Sequence, residues 1–151
     1  MGAAGRVGFA VEIAPAPSQR EKPDVTALPD ARIELMRPFI PARDFGLSQD
    51  FYRALGFEVA VVAPRIATVT ASDGKTGFLL QDFYQKDLAE NLMMQIIVPS
   101  IDVWWAHIQS QSLPEHFGVK EPKPPVVEPW GLRVAYVWDP SGILWHVAAR
   151  N

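Results

Sequence analysis

From residue 35 onward apolar residues fall in short runs separated by turn residues, and the order strand, helix, strands occurs twice. The first copy opens with a predicted strand over residues 35–40, turns at Pro41-Ala42-Arg43-Asp44 and enters a helix with Asp44 as N-cap. A carboxylate there accepts from backbone N–H groups that the first helical turn leaves unpaired. Phe45, Ser48, Phe51, Tyr52 and Leu55 follow at helical spacing, and Gly56 supplies a left-handed stop. Predicted strands at 57–63, 66–71 and 77–83 complete the unit, with Ser72-Asp73-Gly74-Lys75 as a hairpin turn.

The second copy begins with a strand over 92–98, turns at Pro99-Ser100-Ile101-Asp102 and enters a helix bearing Val103, Trp104, Ala106, His107 and Ile108. The Pro-x-x-Asp turn recurs. Adjacent Trp104 and Trp105 cannot share one core stripe, which points one of them toward an interface. After Phe117-Gly118-Val119, residues 120–125 form a proline-rich loop expected to be extended, with His116 in a loop before it. Strands follow at 132–138 and 143–149 around Asp139-Pro140-Ser141-Gly142. Gly77-Phe78-Leu79-Leu80-Gln81 matches Gly142-Ile143-Leu144-Trp145-His146 position by position, making Gln81 and His146 structural equivalents.

Duplication of a βαβββ unit predicts an α+β fold in which two paired modules, about 35–83 and 92–149, form a curved mixed sheet around a cleft. A cleft between modules is a natural place for a small ligand. Residues 1–33 differ from the rest: a small-residue run and Pro15, Pro17, Pro23 and Pro29 mark them as an extension to a single domain over 34–151. Residues 7–13 have the pattern of a strand added to a sheet edge, and Glu12 spoils them as the apolar part of a secretion signal.

Composition narrows the chemistry. The 151 residues are 48% hydrophobic, typical of one packed domain, and no apolar run reaches the ~20 residues of a membrane-spanning helix. With no cysteine, disulfides, zinc–cysteine sites and thiol nucleophiles are excluded, and a reducing cytoplasm is the expected location. A net charge of −3 gives no footprint for nucleic acid. Neither a Gly-x-Ser-x-Gly elbow nor a phosphate-binding Gly-rich Lys-Ser/Thr loop is present.

Phe39-Ile40-Pro41-Ala42-Arg43-Asp44-Phe45, continuing to Phe51-Tyr52-Arg53-Ala54-Leu55-Gly56-Phe57, resembles the opening of vicinal-oxygen-chelate domains. These are the group of glyoxalases, ring-cleaving dioxygenases and bleomycin-resistance proteins. Trp130-Gly131 and Asp139-Pro140-Ser141-Gly142-Ile143-Leu144-Trp145 resemble the group's closing strands, so the likeness covers residues 35–149 and is nearest to the metal-free drug-binding branch. The resemblance implies a homodimer in which each cleft draws on both subunits.

Catalytic relatives hold a divalent metal with four side chains, one from each of four strands. Carried over residue by residue, those positions fall on Arg37, Gln81, His146, and Met93 or Gln95. A guanidinium stays protonated and cannot ligate a cation, and no carboxylate remains to balance a 2+ ion. The expectation is therefore no metal and no cofactor, with Gln81 and His146 as the fallback ligands of a reduced site.

As a ligand pocket the same positions read differently. Arg37 supplies a fork of donors, Gln81 and Gln95 amide contacts, and His146 a group that titrates near neutrality. Phe39, Leu79, Phe83 and Met93 give apolar walls by strand parity, and Trp130 an indole for stacking. The leading expectation is a binding protein for a small organic molecule or drug, acting without metal. The rival is a metal-dependent lyase, isomerase or dioxygenase of the glyoxalase type. A third possibility is metal-free catalysis, with His146 moving a proton on a substrate anchored by Arg37. Structural roles for Arg37, in a salt bridge, and for His146, as a hydrogen-bonded histidine, stand beside these readings.

Overall fold

The computed structural model describes residues 33–151, so the predicted strand at 7–13 lies outside the described residues. Two βαβββ modules follow one another. In the first, β1 (Phe39–Pro41), α1 (Phe45–Leu55), β2 (Glu58–Ala63), β3 (Ile66–Thr70) and β4 (Gly77–Gln81) form a four-stranded sheet in the order β1-β4-β3-β2. In the second, β5 (Met93–Ile97), α3 (Ile101–Ser110), β6 (Lys123–Val127), β7 (Leu132–Trp138) and β8 (Leu144–Arg150) form a sheet in the order β5-β8-β7-β6. The helix α2 (Lys86–Asn91) joins the modules, and α4 (Leu113–Phe117) follows α3. Each sheet is mixed: β1 runs parallel to β4 and β5 parallel to β8, while the remaining pairs are antiparallel. The α+β architecture of two βαβββ modules is as the sequence indicates.

Local chemistry explains most boundaries. Asp44 caps α1 by accepting from Leu47 N–H at 2.9 Å, and Gly56 ends the helix at φ 103°. In the recurring Pro-x-x-Asp turn the cap of α3 is Ser100, whose Oγ accepts from Val103 N–H at 3.3 Å, while Asp102 lies in the first turn and pairs with Arg133 at 3.2 Å. β1 starts at Phe39 rather than at 35: Pro38 has no N–H to give to a ladder, although its carbonyl accepts from Leu79 N–H at 2.9 Å. The expected proline loop is in part the strand β6, an edge strand whose register on β7 shifts between Lys123 and Val126, across Pro124 and Pro125. His116 lies in α4 and not in a loop.

Leu35–Asn151 forms one compact unit. Its core lies between the helices and one face of each sheet, with Ile40, Phe51, Tyr52, Val69, Leu80, Ile108, Val137 and Val147 almost wholly excluded from water. An aromatic group crosses the modules: Tyr52 packs edge-on against Phe78 at 4.9 Å and Trp145 at 5.7 Å between ring centres. Trp104 and Trp105 are both partly buried against this core. His107 Nε2 lies 2.8 Å from Ala54 O, tying α3 to α1. No helix among the described residues is long and apolar enough to cross a membrane.

Candidate functional site

Strand alternation decides which side chains leave the core. In β1, Ile40 is buried and Phe39 is 58% exposed; in β5, Met93 and Ile97 are 63% and 44% exposed. Leu79 on β4, and Leu144 and His146 on β8, are half-buried between buried neighbours, and Gln81 is half-buried after the buried Leu80. One face of each sheet therefore packs on helices while the other stays open, and the predicted ligand residues on β1, β4, β5 and β8 occupy the open faces.

Register fixes their neighbours. Phe39 stands beside Leu79, and Gln81 lies between Pro41 and Ile66. On the second sheet Gln95, His146 and Tyr136 form one cross-strand row. Tyr136 was not singled out by sequence reasoning, although pairing the two strands around the Asp139-Pro140-Ser141-Gly142 turn would have set it opposite His146. Its ring meets the imidazole edge-on at 4.9 Å, and its hydroxyl donates to Glu128 Oε1 at 2.6 Å. That hydrogen bond, with some desolvation and the charge of Glu128, pushes the phenol up to about 12. In the next row, Trp138 pairs with Leu144, and the ammonium groups of Lys120 and Lys123 lie 5.5 and 5.8 Å from its ring centre.

The remaining predicted residues fare unequally. Arg37 sits ahead of β1, half-buried, and its Nε is shielded from water with no hydrogen-bond partner among the described residues. Phe83 lies beyond the end of β4, where its N–H turns back to Gln81 O at 2.8 Å; parity does not carry to it, and its expected place on the strand face is corrected. Trp130 is 57% exposed in the turn between β6 and β7. Gln95 lines a cavity of about 350 Å³ between the modules. The single chain thus gathers Gln95 with His146 and Phe39 with Leu79, and does not enclose the predicted residues in one pocket.

The donor set does not fit a divalent metal. Among the described residues no three His, Cys, Asp or Glu are grouped for a metal ion. Guanidinium, amide and a lone imidazole leave a dication without an anionic ligand. The row can instead offer hydrogen-bond donors and acceptors from Gln95 and His146 beside the edge of an aromatic ring.

Comparison with known proteins gives a consistent picture. A family model described as "Glyoxalase/Bleomycin resistance protein/Dioxygenase superfamily" matches residues 33–147. No curated protein matches the sequence. Among solved structures, a bleomycin-binding protein complexed with bleomycin is 20% identical, with TM-score 0.62 over 79% of this chain and 100% of its own. TnmS3, an antibiotic-binding protein from Streptomyces sp. CB03234, is 23% identical, with TM-score 0.65 over 80% and 98%. A superfamily member from Sphaerobacter thermophilus is 24% identical, with TM-score 0.60 over 78% and 98%. At these identities the likeness to solved structures is one of fold.

Proposed function

Since the chain belongs to the glyoxalase/bleomycin resistance protein/dioxygenase superfamily, we propose that it is a binding member of that group, sequestering a small organic ligand without metal. In this reading two copies of the chain pair so that the open sheet faces of both enclose each ligand. The observation that carries it is the donor set: a half-buried guanidinium at Arg37, neutral amides at Gln81 and Gln95, and one imidazole at His146 beside Tyr136. Such groups recognise polar functions by hydrogen bonding and carry no negative charge with which to retain a 2+ ion.

Support also comes from what the open faces present. Phe39, Met93, Ile97 and Trp130 leave large apolar surfaces uncovered in one chain, which suits a flat organic guest or a second subunit. Arg37 Nε, out of water and without an acceptor among the described residues, suits a ligand carbonyl or carboxylate. Two similar folds are named for binding bleomycin and an antibiotic, so bleomycin is the first ligand to try.

The test is calorimetry and thermal shift with bleomycin and other polycyclic or glycopeptide antibiotics, beside elemental analysis of protein purified without chelator. The expected result is saturable binding with less than about one-tenth of a metal ion per subunit. A stoichiometric divalent ion lost on replacing His146 or Gln81 would establish the rival, a metal-dependent enzyme. Turnover of a metal-free sample, abolished by His146→Ala with binding nearly unchanged, would establish proton transfer by the imidazole instead.

A further inference from the structure

The duplicated modules meet at two corresponding junctions, and the two are unequal. At one, the turn between β7 and β8 docks on the start of α1: Arg43 N–H donates to Ser141 Oγ at 3.0 Å, and the Tyr52 hydroxyl to Asp139 Oδ2 at 2.7 Å. The cavity left there is about 150 Å³. At the matching place in the other half, the turn between β3 and β4 faces the far end of β5 and Trp104 across a cavity of about 350 Å³. That volume is in the range of small-molecule sites.

Three features of this larger cavity give it a chemical preference. Its apolar wall includes Phe57, Ile97, Val98 and Trp104, the indole being partly buried. Among the described residues lining it, Asp73 is the one that is charged. The carboxylate accepts from Lys75 N–H at 2.9 Å, Thr76 N–H at 2.8 Å and the Thr76 hydroxyl at 2.5 Å, bonds that favour its ionised form and hold it below the usual carboxylate range.

The third feature is backbone. β5 is an edge strand. Val98 N–H donates to Ala148 O at 2.7 Å, and Leu92 O accepts from Leu144 N–H at 3.2 Å. In a parallel ladder, alternate residues turn their backbone groups to the same side. Even-numbered residues of β5 therefore serve β8, while Gln95 and Ile97 present their N–H and C=O groups to the free edge that borders the cavity.

We propose that this inter-module cavity is a second small-molecule site, separate from the open sheet faces, that takes a flat organic cation such as an aryl amidinium or protonated arylalkylamine. The ring lies against Trp104, and the N–H donors meet Asp73 and the free carbonyls of β5. It shares Gln95 and Ile97 with the open face of the second sheet, and the inference stands or falls independently of what the sheet faces bind.

The experiment titrates the ¹⁵N-labelled full chain with benzamidine, a planar cation, and in parallel with benzoate, an anion of similar shape. Benzamidine is expected to saturate shifts of the amides of residues 71–76 and 95–99 and of the Trp104 indole N–H, with benzoate much weaker. Asp73→Asn keeps an oxygen for the turn N–H groups and weakens benzamidine roughly threefold, as for an exposed charge pair. Trp104→Ala weakens it about tenfold through lost stacking and contact area. Equal binding of benzoate, shifts centred instead on Phe39, Leu79 and His146, or no saturable shift into the tens of millimolar would overturn the proposal.

Discussion

The Tyr52 hydroxyl donates to Asp139 Oδ2 at 2.7 Å across a separation of 87 residues, joining the first helix of one module to the closing turn of the other. Both groups are buried. Trp145 Nε1 donates to the same hydroxyl at 3.1 Å, and Asp139 Oδ1 accepts the N–H groups of Ser141 and Ile143 at 2.9 Å. The seam is thus a closed set of donors and acceptors in a low-dielectric setting, where losing one member leaves another unsatisfied.

Removing the hydroxyl by Tyr52→Phe is expected to cost about 3 kcal/mol, since a buried carboxylate loses a donor and an indole its acceptor. Urea denaturation measures it directly. Burial also pushes the Asp139 carboxyl above its ordinary value, against the lowering effect of its hydrogen bonds. Between the unfolded and the raised folded pKa the native state then holds more protons, so this group's contribution to stability falls as pH rises through that window. Asp139→Asn should remove that component of the pH dependence, and an unchanged profile would refute the assignment.

A methyl group at Gly77 would lie 2.1 Å from Val69 O, a backbone atom of the neighbouring strand that cannot swing aside. Gly77→Ala is expected to destabilise by roughly 3 kcal/mol through forced separation of β3 and β4. Gly46→Ala, whose new atom meets only Asp44 Oδ1 at 3.7 Å, serves as the control. It should be neutral or stabilise by about 0.5 kcal/mol through helix propensity.

Tyr136 should ionise near 12 when followed by phenolate absorbance. The hydrogen bond to Glu128 is the largest cause, so Glu128→Gln is expected to bring that titration back toward 10. The folded state retains the proton longer than the unfolded chain, so this contribution is complete below pH 10 and is lost as pH rises toward 12. An unshifted phenol in the parent chain would mean that the contact with Glu128 is absent in solution.

Phe39 and Met93 point away from the core with more than half of their surface in water. If two chains cover these faces, Phe39→Asp with Met93→Asp should weaken self-association at least tenfold, or about 1.4 kcal/mol, while leaving the fold intact. Sedimentation velocity beside circular dichroism reads both quantities. A parent chain that sediments as a monomer at high concentration defeats the paired-subunit reading.

Much of this was legible in the residues because local signals agreed with the global fold. Asp44 and Gly56 bracket α1 by cap chemistry, and the Gly77–Gln81 run and its partner after Gly142 became β4 and β8, with Gln81 and His146 in matching places. Short, weakly patterned pieces were not legible. The helices α2 and α4 are 6 and 5 residues long, too brief for periodicity to separate from loop. Prolines at 124 and 125 argue against a strand unless it is known to be an edge, which is tertiary information. The recurring Pro-x-x-Asp turn left the cap of the second helix open, since Ser100 and Asp102 are both good capping types two positions apart. The candidate site was readable as positions on strand faces. The role of Tyr136 required knowing the register of β7 on β8, and the cavity beside Trp104 required knowing which strand edges are left open.

The four outer strands also differ in how they resist sticking to other sheets. β1 ends in a proline, β2 carries a register shift, and β6 has both prolines and a shift. β5 has neither device, and its run Met-Met-Gln-Ile-Ile bears no charge. Short uncharged segments of this kind seed fibrillar stacking when their edge is bare. Misassociation of partly opened chains should therefore begin at Met93–Ile97, and a lysine placed there would act as a gatekeeper against it.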